Sequence, residues 1–478
     1  MNTTFLSILP EVSLAIFSFI LLALGLIRSE KLQNNLGWVT AIGLTGILAA
    51  TIIFYPIPSQ ASLLWGGMLR EDSAAYLFRL LFLAAAALTA LFVKTDECLS
   101  VRSEFYFLLV TSTLGMTLLS ASADLIMLFL SVEITSIPLY VLAGSKLRFE
   151  GSVEAGIKYF LFGAMSSAFL IYGLSLLYGT IGTTQLYGSD VAMKLAAAPR
   201  AILLVITVFV LGGFAFKISA VPFHFWTPDV YEGAPSSIGG FLSTASKAAG
   251  FVALIRILSS LVGFHLGSVW MILLMVMAVS SMFIGNLVAI QQKNLKRMIA
   301  YSSIAQAGYI LVGVIAGGAN GITGAAYYLL AYLLTNLLVF AIIGRVIQQT
   351  GSSEFTAFAG LNRRSPAMAL MLLVGLLSLG GIPPFAGFFA KVLVFGSAMN
   401  AGLAWLVIVG VVNSIIGLYY YLRVLKVMYL DEPAGEWLET PLPSGWTLGV
   451  AFCMLGVLLL GVYLAPWFNW ASIAAAGF

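Results

Sequence analysis

Charge is what this sequence most lacks. Charged residues make up 9% of its 478 positions and hydrophobic residues 61%, with a mean hydropathy of +1.03. A soluble chain of this length needs roughly a quarter of its residues charged to keep its surface wet. A soluble enzyme is therefore excluded, and so is a disordered chain. The net charge of +4 is small and scattered, with no basic tract to meet a nucleic acid. Cysteine is nearly absent. Cys98 and Cys453 are two residues far apart in sequence, too few for a metal site or an iron–sulfur cluster. Long polar stretches are missing too, so no extramembrane domain is available to hold a nucleotide or a flavin.

What the chain has instead is long apolar runs. A helix crossing the hydrocarbon needs about 20 mostly apolar residues. Runs of that kind lie near 5–27, 37–56, 73–94, 105–120, 122–145, 155–182, 198–222, 236–259, 266–290, 296–316, 322–347, 366–400, 402–430 and 444–467. They predict an all-α polytopic membrane protein of about fourteen transmembrane helices. The first run carries Pro10 and Glu11 and lacks a basic leader, unlike a cleavable signal. A β-barrel would show short alternating segments instead.

Basic residues set the expected orientation. With the N-terminus outside, the cytoplasmic side receives Arg28, Lys31, Lys94, Arg102, Lys146, Arg148, Lys293, Lys296, Arg297, Arg345, Arg363, Arg364, Arg423 and Lys426. The outer side receives Arg70, Lys194 and Arg200. Both termini are thus expected to be periplasmic.

Six basic residues remain inside apolar spans: Arg79, Lys158, Lys217, Lys247, Arg256 and Lys391, joined by the acidic Glu133. Each costs about 2.5–3.5 kcal/mol at a helix centre on insertion scales, and such groups mark ion or proton pathways. Arg79 and Arg256 lie near span ends and are read as snorkelling to the interface. Lys158 shares a helical face with Glu154 and Glu150, so a structural ion pair competes with a functional role. Lys217, Lys247, Lys391 and Glu133 are deeper and read as functional.

Two of the lysines stand beside helix breaks. Pro222 follows Lys217 by five residues, with His224 in the irregular segment. Gly380, Gly381, Pro383 and Pro384 precede Lys391. Proline removes a helical donor and clashes with the preceding turn, so helices are expected to break near Val221–Phe223 and Gly380–Pro384. If 105–265 and 266–430 are two five-helix units, the breaks recur at corresponding places, the pattern of repeat-built transporters. That division leaves an N-terminal three-helix segment at 1–104 and a C-terminal helix at 431–478.

On these residues the chain resembles the antiporter-like membrane subunits of respiratory complex I, the proton-pumping NADH:quinone oxidoreductase. Within them it is most similar to the N-type branch, related to mitochondrial NADH dehydrogenase subunit 2. The resemblance rests on FKISAVPFHFWTPDVYEGAP at 216–235, STASKAAGF at 243–251, QKNLKRMIAYSSIAQAGY at 292–309 and SLGGIPPFAGFFAK at 378–391. The M-type branch has a glutamate where Lys391 stands. The resemblance implies fourteen helices with two inverted five-helix repeats, each containing a broken helix. It implies a proton relay of Glu133, Lys217, Lys247 and Lys391, with Lys158 at a matching charged position; His224 or ordered water is expected to bridge Lys217 to Lys247. Approach and separation of Glu133 and Lys217 would load and release a proton. Ser246 and Tyr328 are candidate supports for a water chain.

No cofactor is expected in this chain. NADH, FMN, iron–sulfur clusters and quinone are expected in partner subunits, alongside homologous antiporter-like subunits of the membrane arm. The expected location is a bacterial inner membrane, ahead of a thylakoid membrane. A subunit of an Mrp-type cation/proton antiporter, which shares the broken helices, is the alternative.

Overall fold

The computed structural model describes residues 7–27, 29–93, 99, 102–262, 268–433, 435, 437–438 and 440–478. Arg28, Lys94 and Cys98 lie outside them. The chain is helical nearly throughout, as an all-α polytopic membrane protein. Twelve helices among the described residues are long and apolar enough to cross a membrane, and three further apolar helices are shorter. Helix occupies each of the fourteen apolar runs, but the run at 366–400 is divided between two short helices.

In chain order the principal helices are α1 (Leu9–Leu24), α2 (Leu36–Phe54), α3 (Ser73–Phe92), α4 (Ser103–Ala121), α5 (Leu125–Ala143), α6 (Glu150–Ile181) and α7 (Arg200–Ile218). Then follow α8 (Trp226–Gly233), α9 (Ser236–Leu261), α10 (Val269–Gln291), α11 (Leu295–Ala316) and α12 (Gly318–Thr350). The last are α13 (Pro366–Gly380), α14 (Ala386–Asn400), α15 (Ala404–Tyr429), α16 (Ser444–Val462) and α17 (Leu464–Ala475). Helix is the structure that satisfies every backbone group within one segment, which hydrocarbon demands. Side chains close several of the ends. Asp72 accepts from the Ala75 amide at 2.8 Å, Asp124 from Ile126 at 2.8 Å and Asn294 from Arg297 at 3.2 Å. Two short antiparallel strands, β1 (Ser62–Leu64) and β2 (Leu69–Glu71), join α2 to α3. Neither they nor α17 is foreshadowed by the apolar runs.

Burial sorts the helices into an inner and an outer set. The most apolar stretch of α9 is wholly buried and that of α11 is 94% buried, whereas in α2 and α6 the share is 33%. Helices α9, α11 and α12 therefore form the protein-lined interior, where ionisable side chains are affordable.

Arg79 and Arg256 do not snorkel. Arg79 is 1% exposed and pairs with Glu11 of α1 at 2.7 Å and Glu71 of β2 at 3.1 Å. Arg256 is fully buried in α9, where both terminal nitrogens reach Asp72 at 2.9 Å and Nε donates to the Ser120 carbonyl. A guanidinium with paired carboxylates is cheaper to bury than to stretch to an interface, because its fork satisfies two acceptors at once. These contacts tie α1 to α3 and the start of α3 to α9. Lys296 and Arg345, counted above as loop charges, are buried as well. Lys296 donates to the carbonyls of Glu232 and Ala234 at 2.7 and 2.6 Å, and Arg345 to those of Thr440 and Pro441.

Candidate functional site

Both helix breaks lie where the prolines place them. Helix α7 ends at Ile218, and Ser219 takes a left-handed φ of 61° before the chain re-enters helix at Trp226. Irregular backbone inside a membrane protein needs protein partners, and here it has them. The Val221 amide donates to Ser281 Oγ at 2.9 Å, and the Trp226 indole donates to the Phe216 carbonyl at 3.2 Å. At the second break α13 ends at Gly380, Gly381 adopts φ 81°, and α14 begins at Ala386.

The three deep lysines are all interior: Lys217 is 6%, Lys247 1% and Lys391 7% exposed. None forms an ion pair among the described residues, and each is held by hydroxyl or carbonyl oxygens instead. Lys217, one residue before the end of α7, donates to Ser136 Oγ of α5 at 2.8 Å. Lys247 follows a π-helical turn at Leu242–Ser246 and donates to the Ser303 carbonyl at 2.7 Å and hydroxyl at 3.0 Å. Lys391 reaches back from α14 across the second break. It donates to the carbonyls of Leu379 at 3.2 Å and Gly380 at 3.0 Å, and to Ser414 Oγ at 2.8 Å. Those carbonyls are left without helical donors by the break, and they form the negative end of the α13 dipole, a natural seat for a cation.

Glu133 lies half-buried on α5, three residues before Ser136, and accepts from the Ser167 hydroxyl of α6. Residues three apart share a helical face, but Ser136 Oγ, which seats Lys217, donates to the Val132 carbonyl at 2.6 Å and not to Glu133. Glu133 and Lys217 form no ion pair among the described residues.

Polar side chains lie between Lys247 and Lys391, hydrogen-bonded to one another from Ser302 to the Leu379 carbonyl. Ser302, next to Ser303, bonds the Tyr421 hydroxyl. Gln306, one turn on, donates to Tyr421 at 3.3 Å and to the Leu379 carbonyl at 3.1 Å, and accepts from Tyr328. The Leu379 carbonyl thus receives both Gln306 and Lys391. Beside it a small cavity, about 10 Å³ open to the centre of a water molecule, is lined by Gln306, Tyr328, Thr335 and Ser378. That is the lower limit for one water.

Lys158 and His224 sit elsewhere. Lys158 pairs with Glu154 at 2.7 Å and Asp229 at 2.6 Å, and Arg297 continues the chain through Asp229 and Glu232 at 2.6 and 2.9 Å. This network is partly exposed and ties α8 to α6 and α11. The buried His224 has an unpartnered Nδ1 and bonds neither Lys217 nor Lys247. Tyr328 does join the network; Ser246 is turned towards Tyr159. Ser136, Ser303, Gln306, Ser414 and Tyr421 were missed in the sequence. The available signal was the polar residues Ser302, Gln306 and Tyr309, spaced three and four apart in the run 301–309.

Residues 122–417 match the family described as NADH:quinone oxidoreductase/Mrp antiporter, TM. NADH-quinone oxidoreductase subunit N of Desulfitobacterium hafniense is 42% identical, over 98% of this chain and 97% of that one. The subunit of the same name from Moorella thermoacetica is also 42% identical, over 98% of both chains. A chain of Thermus thermophilus respiratory complex I superposes with a TM-score of 0.81 at 31% identity, covering 96% of this chain and 99% of the other. A chain of the Mrp complex from Dietzia superposes at 0.86 with 21% identity, covering 100% and 97%, a likeness of fold.

Proposed function

We propose that this chain, which belongs to the NADH:quinone oxidoreductase/Mrp antiporter membrane family, carries protons along the buried axis Lys217–Lys247–Lys391. It is a membrane-arm, proton-translocating subunit of an NADH:quinone oxidoreductase and performs no redox chemistry itself. NADH, FMN, iron–sulfur clusters and quinone belong to its partner subunits, and the energy of their electron transfer reaches this chain through the membrane arm.

The observation that carries the relay is the company the lysines keep. A buried cation paired with a carboxylate is a fixed structural charge; the guanidinium groups of Arg79 and Arg256 are of that kind. Lys217, Lys247 and Lys391 rest on neutral oxygens. An ammonium taken out of water without a counter-ion is held in its charged form at a cost. A neutral amine in the same place is not, so the proton is free to move on. Glu133 lies on α5 one turn before the Ser136 that seats Lys217, and movement of that carboxylate sets how firmly Lys217 holds its proton. From Lys247 the side chains of Ser303, Ser302, Tyr421 and Gln306 line a polar route towards Lys391, along which water would carry the proton.

The division into 105–265 and 266–430 supports the same reading. Each unit holds five spans, α4 to α9 and α10 to α15, with the break in the fourth. We take these units as inverted repeats within a fourteen-span protein in a bacterial inner membrane, with both termini periplasmic.

The test is to isolate the assembly from native membranes, identify its subunits and follow NADH-driven proton uptake by vesicles. Co-purified redox subunits and uptake that fails in Lys391→Met support the reading. Na⁺ exchange by the chain alone, independent of NADH oxidation, refutes it.

A further inference from the structure

Between Ser219 and Tyr231 the chain carries four buried polar atoms without a hydrogen-bond partner: Ser219 Oγ, His224 Nδ1, Thr227 Oγ1 and Tyr231 OH. Leaving such a group unpaired costs about 1–3 kcal/mol each, and native interiors hold few of them. They gather at the first break, between the helix that carries Lys217 and the helix that carries Lys247.

Tyr231 is the one placed to join the two. It projects from the last turn of α8, fully buried. Its ring is wedged edge-on between Trp226 and Phe340, at centroid distances of 6.1 and 5.9 Å. The turn that bears it is anchored where Lys296 holds the Glu232 and Ala234 carbonyls. Its hydroxyl faces two others, Ser219 and Ser303, without completing a hydrogen bond to either. Ser219 stands two residues beyond Lys217, and Ser303 is the residue on which Lys247 rests. Tyr332, the other tyrosine beside Ser303, is already engaged: its hydroxyl accepts from Asn336 at 3.0 Å.

We propose that the Tyr231 hydroxyl passes the proton between the Lys217 and Lys247 stations, through Ser219 on one side and Ser303 on the other. In the transfer Ser219 gives its proton to the Tyr231 oxygen, Tyr231 gives its own to Ser303, and Ser303 gives its own to the neutral Lys247 amine. Ser219 is reprotonated by the Lys217 ammonium, which is left as the neutral amine. Each oxygen gains one proton and loses one, so no buried tyrosinate forms, and the hydroxyls rotate back afterwards. A hydroxyl that alternates between two acceptors cannot be locked to either, which accounts for its unpaired state. The step assigns to Tyr231 the bridging place that the sequence reading gave to His224.

The assignment rests on the lysine relay, and its test separates the two. Tyr231→Phe keeps the ring and removes only the oxygen. If the hydroxyl were structural, its loss would be silent, because it bonds nothing that needs it. In the assembled complex in vesicles, Tyr231→Phe is expected to lower NADH-driven proton uptake on the order of tenfold or more, the scale of losing one proton-transfer group. The amount of complex should be unchanged, and the solvent deuterium effect on uptake should rise. Wild-type uptake with an unchanged deuterium effect overturns the assignment. Lys247→Met, measured alongside, shows whether the relay stands: impaired uptake there with a normal Tyr231→Phe removes Tyr231 alone, and normal uptake in both removes the relay as well.

Discussion

Gly250, one turn beyond Lys247 on α9, lies directly against the side-chain stem of Lys217: a Cβ built there would stand 2.9 Å from Lys217 Cγ and 3.1 Å from Ile218 Cγ2. The two lysines are therefore mounted at a single contact between α7 and α9, and the absence of a side chain at position 250 sets their spacing.

Gly250→Ala follows as a sensitive probe. In an isolated helix interior the change would be favourable by about 1 kcal/mol. Here the added methyl must displace the Lys217 stem and with it the bond to Ser136. The complex should assemble, and proton uptake per electron should fall. Normal uptake would mean that the spacing of the lysines is not critical.

Gln306→Leu removes the side chain that bonds Tyr328, Tyr421 and the Leu379 carbonyl. Transfer from Lys247 to Lys391 should slow, while Lys391 keeps its own seat on Leu379, Gly380 and Ser414. Proton uptake and the amount of complex, measured together, distinguish this from misfolding; loss of assembly without loss of uptake per complex would contradict it.

Arg256→Met should act through the fold alone. Removing one partner of a buried ion pair costs up to about 3–5 kcal/mol; here Asp72 keeps Arg70 at 3.2 Å, so the loss falls below that. Arg79→Lys should be damaging too, since an ammonium cannot reproduce the fork that spans Glu11 and Glu71. Both variants should lower the yield and thermal stability of the complex while the remaining complex pumps normally.

The contrast between the arginines and the lysines shows how far the sequence carries. Proline and glycine write the breaks into the chain, because their effect on a helix is local, and Lys217 and Lys391 could be placed against those breaks by counting residues. The partners of Arg79 and Arg256 could not be counted to, since Glu11 lies 68 residues and Asp72 184 residues away. Without them, a basic residue near a span end reads as snorkelling. The partners of Lys296 were hidden for a related reason: it stands at a helix start but serves the carbonyls of another segment. The hydroxyls that seat the deep lysines were illegible in another way. Serine is common in membrane helices, and only packing singles out Ser136 and Ser303.

Glu133 offers a graded test of the input side. Glu133→Ala removes the carboxylate charge nearest the Lys217 seat on α5 and should depress proton uptake. Glu133→Asp retains the charge on a shorter stem and should be milder. Equal effects of the two would place the requirement on shape instead of charge.

The central claim, that Lys217 and Lys247 change protonation state during turnover, is tested most directly by Lys217→Arg and Lys247→Arg. Arginine keeps the positive charge but is not deprotonated in the working range. Protons taken up per electron should be measured in vesicles beside the quantity of assembled complex. The account predicts assembled complexes with impaired pumping in both variants; normal pumping in both would contradict it and leave the two lysines as fixed charges.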